Sequence, residues 1–300
     1  MLNKKVSLVL GSGGARGYAH IGVIEVLEEK GYEIATISGS SMGALIGGLY
    51  AAGKLDEFKQ WILTLDYFDI FKLISFSSMS GGLVDAQKVF DKIATIIGDI
   101  NIEDLDIKYV AVATDINTQK EVLFTKGKLV DAIRASVAIP TIFSPIVQGD
   151  MILVDGGVLN PLPINTIKDD DTELIIAVNL DANIQNNYII KIPNEQKTRE
   201  EVMYSKVKTF FDEAKSHIPQ QFFDIVPSKK TKDKNIFKPS IPFVLSRTLD
   251  TAQTILSNYY IQNYNTDIMI DIPRDSCEFY EFTQGYKMIE IGRIIANDKL

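Results

Sequence analysis

The sequence predicts an α/β protein with a mostly parallel central sheet that is flanked by helices on both faces. Three observations carry this prediction. Several short runs are continuously apolar, which is typical of strands buried on both faces. Segments with apolar residues at helical spacing lie between those runs. Glycine-rich turns join the two kinds of segment, as expected where strands and helices alternate along a chain.

The predicted elements follow one another along the chain. The first strand is Val6–Leu10, and the first helix spans Ala19–Lys30, with Gly31 at the position of a C-cap. A second strand covers Ile34–Ile37 and a second helix Ala44–Ala52. Later segments are predicted in the same way, in this order: the strands Tyr109–Thr114, Met151–Val154 and Leu174–Val178, the helix Arg247–Ile261, the strand Ile268–Ile272 and the helix Phe282–Ala296.

A chain of 300 residues is long enough for one large α/β domain or two smaller ones. No internal repeat or clear linker divides it, so we predict a single domain over residues 1–300. Its core is expected over residues 5–181, and C-terminal helices and a strand over residues 243–300. Residues 182–242 are more polar and are interpreted as an excursion from the core. This excursion is either a mobile lid or a peripheral helix followed by a solvated loop.

Composition and charge exclude several classes of protein. The formal net charge is −8, which argues against general nucleic-acid binding, since that relies on clustered cations. One cysteine, Cys277, rules out an intrachain disulfide and fits a reducing compartment. No segment has the about 18 apolar residues of a membrane span, and the first apolar run is too short for a secretory signal. We expect a cytoplasmic protein; the basic run Lys229–Lys234 leaves peripheral membrane contact open.

The pentapeptide Gly39-Ser40-Ser41-Met42-Gly43 stands between a predicted strand and a predicted helix. In that context a serine occupies the apex of a sharp turn, and glycines on both sides let the backbone bend tightly. Ser41 is therefore a candidate nucleophile. The pentapeptide alone is a weak signal, because serine and glycine are common residues.

A glycine-rich loop, Gly11–Gly17, joins the first strand to the first helix. Glycines there let backbone N–H groups point into one small space beside a helix N-terminus, which suits negative charge. Three interpretations compete: a phosphate cradle, a structural tight turn and an oxyanion hole. The sequence patterns of nucleotide-binding loops are missing. A candidate elbow serine further along the chain favours the oxyanion hole.

A Ser-His-Asp triad needs a histidine late in the chain, but the chain has only His20 and His217. His20 precedes the serine and His217 ends a polar helix, so neither is in the expected place. Asp155 is the best candidate for the base, since it ends a predicted strand and Gly156 and Gly157 allow a turn at the C-terminal edge of the sheet. A carboxylate can act as a base when a dry site tunes its pKa. A surface turn is the other interpretation of this motif.

Together these motifs resemble the patatin-like phospholipase family. The resemblance runs over residues 5–181 and rests on three motifs: Gly13-Gly14-Ala15-Arg16-Gly17, the pentapeptide around Ser41, and Asp155-Gly156-Gly157. Arg134–Pro140 and Asn160–Pro163 are similar to further stretches of the family. This chain departs from the family at Ser12, where glycine is usual.

The resemblance implies the patatin-like variant of the α/β hydrolase architecture and a hydrolase of lipid acyl esters. Ser41 would be the nucleophile, and Asp155 would be the base, first for the serine proton and then for a water molecule. The oxyanion hole would be formed by N–H groups of the loop Gly13, Gly14, Ala15 and Arg16, with the Arg16 side chain supporting the loop. Nothing in the sequence indicates a cofactor or a metal.

Two other functions stay open at this point. One is a short-chain esterase or thioesterase without lipid preference, because a catalytic dyad does not fix the substrate. The other is a regulatory protein on a hydrolase scaffold. The presence of both Ser41 and Asp155 argues against that function. The expected partner is a lipid or acyl-ester substrate and not nucleic acid; the oligomeric state is left open.

Overall fold

The computed structural model describes residues 4–65, 75–76, 84–85, 87–140, 142–167, 170–190 and 241–300. Ten strands lie in these parts of the chain: β1 (Lys5–Leu10), β2 (Glu33–Ser40), β3 (Ser75–Phe76), β4 (Val84–Asp85), β5 (Lys108–Asp115), β6 (Lys120–Phe124), β7 (Ile146–Gln148), β8 (Met151–Asp155), β9 (Leu174–Ala182) and β10 (Ile268–Pro273). Seven α-helices accompany them: α1 (Ala19–Glu29), α2 (Met42–Ala51), α3 (Leu55–Thr64), α4 (Gln87–Ile97), α5 (Leu129–Ser136), α6 (Ile241–Asn263) and α7 (Gly285–Lys299).

Eight of these strands form one sheet in the order β10-β9-β1-β2-β5-β8-β7, with β6 also paired to β5. The pairs β10–β9, β9–β1, β1–β2 and β2–β5 are parallel. The pairs β5–β6, β5–β8 and β7–β8 are antiparallel. The mostly parallel sheet predicted from the sequence is confirmed, and it carries an antiparallel part that the apolar runs did not predict.

Strand β5 has two partners along one of its edges. β2 pairs in parallel with its first half, up to Ser40 opposite Val112. β8 pairs antiparallel with its second half, where Asp155 lies opposite Ala113. β6 pairs with residues 111–115 and so occupies the other edge. The last residues of β2 and β8 therefore meet beside neighbouring residues of β5, although the two strands run in opposite directions.

Alternate residues of β1 face opposite sides of the sheet and pack against different helices. Leu8 and Leu10 belong to a large apolar cluster to which α1, α2 and α7 contribute. Val9 belongs to a second cluster, together with Tyr260 of α6. Helices thus cover both faces of the sheet, which is why this strand is apolar from Val6 to Leu10 except at Ser7.

Helix α1 ends where the sequence predicts. Gly31 has a φ of +77°. The N–H groups of Gly31 and Tyr32 reach back to the carbonyls of Glu28 and Leu27 at 2.9 and 3.0 Å. Glycine favours this left-handed termination because it has no Cβ. The chain then turns directly into β2.

Most of the polar excursion over residues 182–242 lies outside the described residues, and so do His217 and the basic run Lys229–Lys234. The helix predicted over Arg247–Ile261 is confirmed as part of α6, which begins earlier, at Ile241. The single-domain organisation stays a prediction. Within the described parts of the chain, no helix combines the length and the apolarity that crossing a membrane requires.

Candidate active site

Ser41 forms the turn between β2 and α2. β2 ends at Ser40 and α2 begins at Met42, so one residue carries the change of direction. Its backbone has a φ of +55° and a ψ of −122°, which residues with a side chain rarely adopt. Such strain is typical of a nucleophile elbow, because it exposes the serine hydroxyl above the end of the strand. The predicted strand-turn-helix context of Ser41 is therefore confirmed.

The elbow glycines permit very close packing of the backbone. A Cβ on Gly43 would lie 1.9 Å from the carbonyl oxygen of Leu10. A Cβ on Gly39 would lie 2.4 Å from the backbone nitrogen of Ala44. Both neighbours are backbone atoms, which cannot move aside without displacing β1 or the elbow. Helix α2 can start directly beside the end of β1 because residue 43 is glycine.

Asp155 meets Ser41 where the ends of β2 and β8 converge. The Ser41 hydroxyl donates to Oδ2 of Asp155, with 2.5 Å between the two oxygens. The other carboxylate oxygen, Oδ1, accepts the N–H of Gly157 at 2.7 Å. The backbone N–H of Asp155 donates to the Ala138 carbonyl at 2.9 Å. A Cβ on Gly156 would lie 2.1 Å from a carbonyl oxygen of β5, so only glycine allows the chain to pass there.

Burial changes the acid–base character of Asp155. Only 2% of this residue is exposed. Burial raises the pKa of its carboxyl to about 7, while the hydrogen bonds from Ser41 and Gly157 act in the opposite direction. A carboxyl with a pKa near neutrality is suited to accept and return a proton at neutral pH. The arrangement can therefore take the serine proton without a histidine between the two groups.

The glycine loop keeps two N–H groups that have no partner in the described parts of the chain, those of Gly13 and Gly14. The N–H of Ala15 donates to the Phe279 carbonyl at 2.9 Å, and that of Arg16 donates to the Gly13 carbonyl at 3.2 Å. The oxyanion hole stays a prediction, and these bonds bear on which N–H groups could take part in it. Ala15 and Arg16 use their N–H groups to hold the loop, which leaves Gly13 and Gly14 as its candidate donors.

Arg16 supports the loop through its side chain, as the resemblance implied. The residue is 8% exposed. Its Nη1 donates to the Arg274 carbonyl at 3.2 Å, and its Nη2 lies 3.7 Å from Oδ1 of Asp181. Asp181 is the second-last residue of β9, and Arg274 directly follows β10. The guanidinium therefore ties the glycine loop to two neighbouring strands.

The elbow offers one candidate donor, the N–H of Met42, that the sequence analysis did not name. Helix α2 begins at Met42, so its first N–H groups have no carbonyl one turn earlier within the helix. The N–H directly after the nucleophile is the one that such elbows contribute to an oxyanion hole. The same helix end carries the positive side of the helix dipole, which favours negative charge near Ser41. The strand-turn-helix pattern around Ser41 was the sequence signal that could have identified this N–H group.

His20 serves the glycine loop and does not contact the two site residues. It is fully buried, and its Nε2 donates to the Gly11 carbonyl at 2.8 Å. Burial lowers the pKa of His20 to about 4, so the ring is neutral near pH 7. Burial likewise raises the pKa of the Cys277 thiol to about 12, which makes it a poor nucleophile. In the part of the chain that the structure describes, no three His, Cys, Asp or Glu residues could together hold a metal ion.

A cavity of about 160 Å³ opens onto Ser41 and Asp155. One wall is the segment that follows α5, and another is helix α6. Half of the twelve lining residues are apolar, namely Ile139, Pro140, Ile142, Leu245, Leu249 and Phe279, and the polar half includes Thr248, Asp250 and Gln253 of α6. A concave lining that combines apolar side chains with convergent polar groups is typical of a site for a small organic ligand.

Fold and site together define a class of protein. An α/β sheet that presents an elbow serine at the carboxyl end of a parallel strand has the architecture of a hydrolase. Comparison with known families agrees with this class. The family model described as patatin-like phospholipase matches residues 8–167, and the chain belongs to this family. Membership of the family supports lipid hydrolase activity.

Related proteins extend the match beyond that segment. Uncharacterized NTE family proteins of Mycobacterium tuberculosis and Mycobacterium bovis are each 36% identical to this chain over 328 aligned positions. Each alignment covers 99% of this chain and 91% of the relative. The lysophospholipase NTE1 of Debaryomyces hansenii is 33% identical over 192 positions, which cover 59% of this chain and 12% of that much longer protein.

Proposed function

We propose that the protein hydrolyses acyl esters of lipids, with Ser41 as the nucleophile and Asp155 as the general base. One observation carries the proposal: the Ser41 hydroxyl donates a 2.5 Å hydrogen bond to a buried carboxylate. The raised pKa of that carboxylate suits it to remove the serine proton as the oxygen attacks a carbonyl carbon.

The first half of the reaction forms an acyl-enzyme. Ser41 Oγ attacks the ester carbonyl carbon, and the hydroxyl proton moves to Oδ2 of Asp155. The carbonyl oxygen becomes an oxyanion beside the N–H groups of Gly13, Gly14 and Met42. The bond to the leaving alcohol then breaks, and the alcohol takes the proton from Asp155.

The second half releases the acid. Asp155 accepts a proton from water while the water oxygen attacks the acyl carbon, and the same N–H groups hold the second oxyanion. When the bond to Ser41 Oγ breaks, the proton returns to the serine and the carboxylic acid leaves. Because Asp155 must be ionised at the start of each half, activity is expected to rise with pH through about 7.

Lipid esters are the substrate class that the comparisons favour. The matching family model is named for phospholipases, and the Debaryomyces hansenii relative is named a lysophospholipase. The apolar half of the cavity lining suits an acyl chain. We also propose that the protein is cytoplasmic and contacts a lipid surface peripherally. A short-chain esterase or thioesterase is the alternative, since it would use the same two residues.

A fluorophosphonate probe followed by peptide mass mapping tests the nucleophile. We expect one labelled serine, Ser41, in the wild-type protein and no label on the Ser41→Ala variant. Label on a different serine, or none on a folded wild-type protein, contradicts the proposal. p-Nitrophenyl esters of increasing acyl length, with and without phospholipid vesicles, test the substrate class. Rates that rise with length and with vesicles support lipid esters, whereas a flat profile supports the short-chain esterase.

A further inference from the structure

Ser136 bonds directly to the backbone of the elbow. It is the last residue of α5 and is fully buried. The Ser41 N–H donates to Ser136 Oγ at 2.9 Å, and the Ser136 hydroxyl donates to the carbonyl of Val112 at 2.6 Å. A serine hydroxyl has one proton to donate. Its orientation is therefore fixed by the Val112 carbonyl, and its lone pair faces the elbow.

These two hydrogen bonds extend the pairing of β2 and β5 beyond the end of β2. Ser40 lies opposite Val112, and β2 leaves the sheet at the next residue. The Ser136 hydroxyl stands between the Ser41 N–H and the Val112 carbonyl, where a direct bond would otherwise continue the ladder. The inserted oxygen lets the elbow turn away from β5 while its N–H stays bonded. The Ser41 N–H is also thereby excluded as an oxyanion donor.

The segment that begins with Ser136 also holds the second site residue. Two positions after Ser136, the Ala138 carbonyl accepts the N–H of Asp155 at 2.9 Å. One segment thus bonds to Ser41 through a side chain and to Asp155 through the main chain. The 2.5 Å separation of Ser41 Oγ and Asp155 Oδ2 depends on how two oppositely directed strands end relative to each other. A bridge that contacts both ends is placed to fix that separation.

We propose that Ser136 is a positioning residue, whose hydroxyl holds the Ser41 backbone so that the serine hydroxyl points at Asp155. The proposal rests on the proposed function, since it concerns the same pair of residues. Displacing reacting groups by about 1 Å typically costs on the order of 100-fold in rate. Ser136→Ala is therefore expected to lower kcat about 10- to 100-fold. KM should change little, because Ser136 does not line the cavity.

A pH profile separates positioning from mere loss of stability. The hydrogen bond from Ser41 lowers the pKa of Asp155. If Ser136→Ala weakens that bond, the pKa of Asp155 rises, and the midpoint of the kcat/KM profile moves to higher pH. A site that is less stable but correctly assembled keeps the wild-type midpoint.

Ser38→Ala provides a matched control. Ser38 is also fully buried and lies on the same strand as the elbow. Its Oγ hydrogen-bonds to Thr166 Oγ1 at 2.6 Å and bonds to neither Ser41 nor Asp155. This variant removes a buried serine hydroxyl close to the site, as Ser136→Ala does. It should keep the wild-type kcat and the wild-type pH midpoint.

The test compares kcat, KM, the pH profile and the rate of fluorophosphonate labelling, once circular dichroism has verified folding. Ser136→Cys keeps the shape of the side chain with a weaker donor, so its kcat should lie between those of the wild type and Ser136→Ala; this variant decides the question if Ser136→Ala does not fold. A wild-type kcat and midpoint in either folded Ser136 variant overturns the proposal, and so does an equal loss in Ser38→Ala. A folded wild type that is neither labelled nor active refutes the proposed function itself.

Discussion

Replacing Asp155 with asparagine should abolish hydrolysis and, above neutral pH, make the folded protein more stable. Asparagine has nearly the shape of aspartate. Its carbonyl oxygen can accept the N–H of Gly157, which Oδ1 of Asp155 accepts now at 2.7 Å. Its amide NH₂ can donate to the Ser41 oxygen. The substitution therefore removes the base and the buried negative charge while leaving the packing nearly unchanged.

The size of the stabilisation follows from the linkage between folding and proton binding. Burial raises the pKa of Asp155 from its ordinary value of 3.8 to about 7. Between these pH values the folded protein keeps a proton that the unfolded chain has released, so the free energy of unfolding falls as the pH rises. The pKa differs by about 3 between the two states, and each pKa unit corresponds to about 1.4 kcal/mol. Above pH 7 the buried carboxylate therefore lowers the free energy of unfolding by about 4 kcal/mol. Below about pH 4 the carboxyl is protonated in both states, and the destabilisation vanishes.

Thermal unfolding of the wild type and of Asp155→Asn at about pH 5.5 and about pH 8 measures this effect. About 2 kcal/mol of the difference should develop between these pH values, which is roughly 4 °C in Tm for a protein of this size. All other titrating groups are common to both proteins, so the change in the Tm difference isolates Asp155. A Tm difference that is independent of pH, or a variant that is less stable at the higher pH, would refute the reasoning.

Ser41→Ala should lose more than about 1,000-fold in p-nitrophenyl ester hydrolysis with an unchanged circular dichroism spectrum, and comparable activity in the variant would exclude this nucleophile. The kcat/KM of the wild type should rise with pH to a plateau with a midpoint near 7, since only ionised Asp155 accepts the proton; a flat profile contradicts this role. Gly43→Ala should lower stability by about 3 kcal/mol or more in denaturant unfolding, because its Cβ would lie 1.9 Å from a backbone carbonyl oxygen. His20→Ala should keep ester hydrolysis, because His20 bonds to a loop carbonyl and to neither site residue. His217→Ala should keep it as well, because the proposed pair of residues needs no histidine. A thousand-fold loss in a folded His217 variant would instead indicate a triad.

The sequence predicted the strands buried on both faces of the sheet, and also the partly buried β8 and β10. β1, β2, β5 and β9 are apolar runs, and each extends the predicted strand by only a few residues. β6 and β7 were missed, because they are short and mostly exposed or half-buried, so their residues form no continuous apolar run. Helix α5 was missed as well; it spans eight residues, and about two turns of helical spacing are a weak signal.

Local patterns named Ser41 and Asp155, but only the family resemblance implied their contact. The two residues lie 114 positions apart, and they meet because β8 pairs antiparallel with β5 on the edge that β2 also uses. No local pattern specifies that pairing. The same limit applies to Ala15, whose N–H donates to the carbonyl of Phe279 from a distant part of the chain.

The absence of an imidazole between Ser41 and Asp155 has a geometric cause. With 2.5 Å between their oxygens, no group can stand between them. A histidine ordinarily supplies a base with a pKa near neutrality, and here burial brings the pKa of the carboxyl to about 7 instead. On the proposed mechanism, base strength and instability then have one origin, the exclusion of water from a single carboxylate. A substitution that admits water to Asp155 should therefore stabilise the protein and weaken the base together, whereas one that only displaces Ser41 should weaken catalysis without that gain in stability.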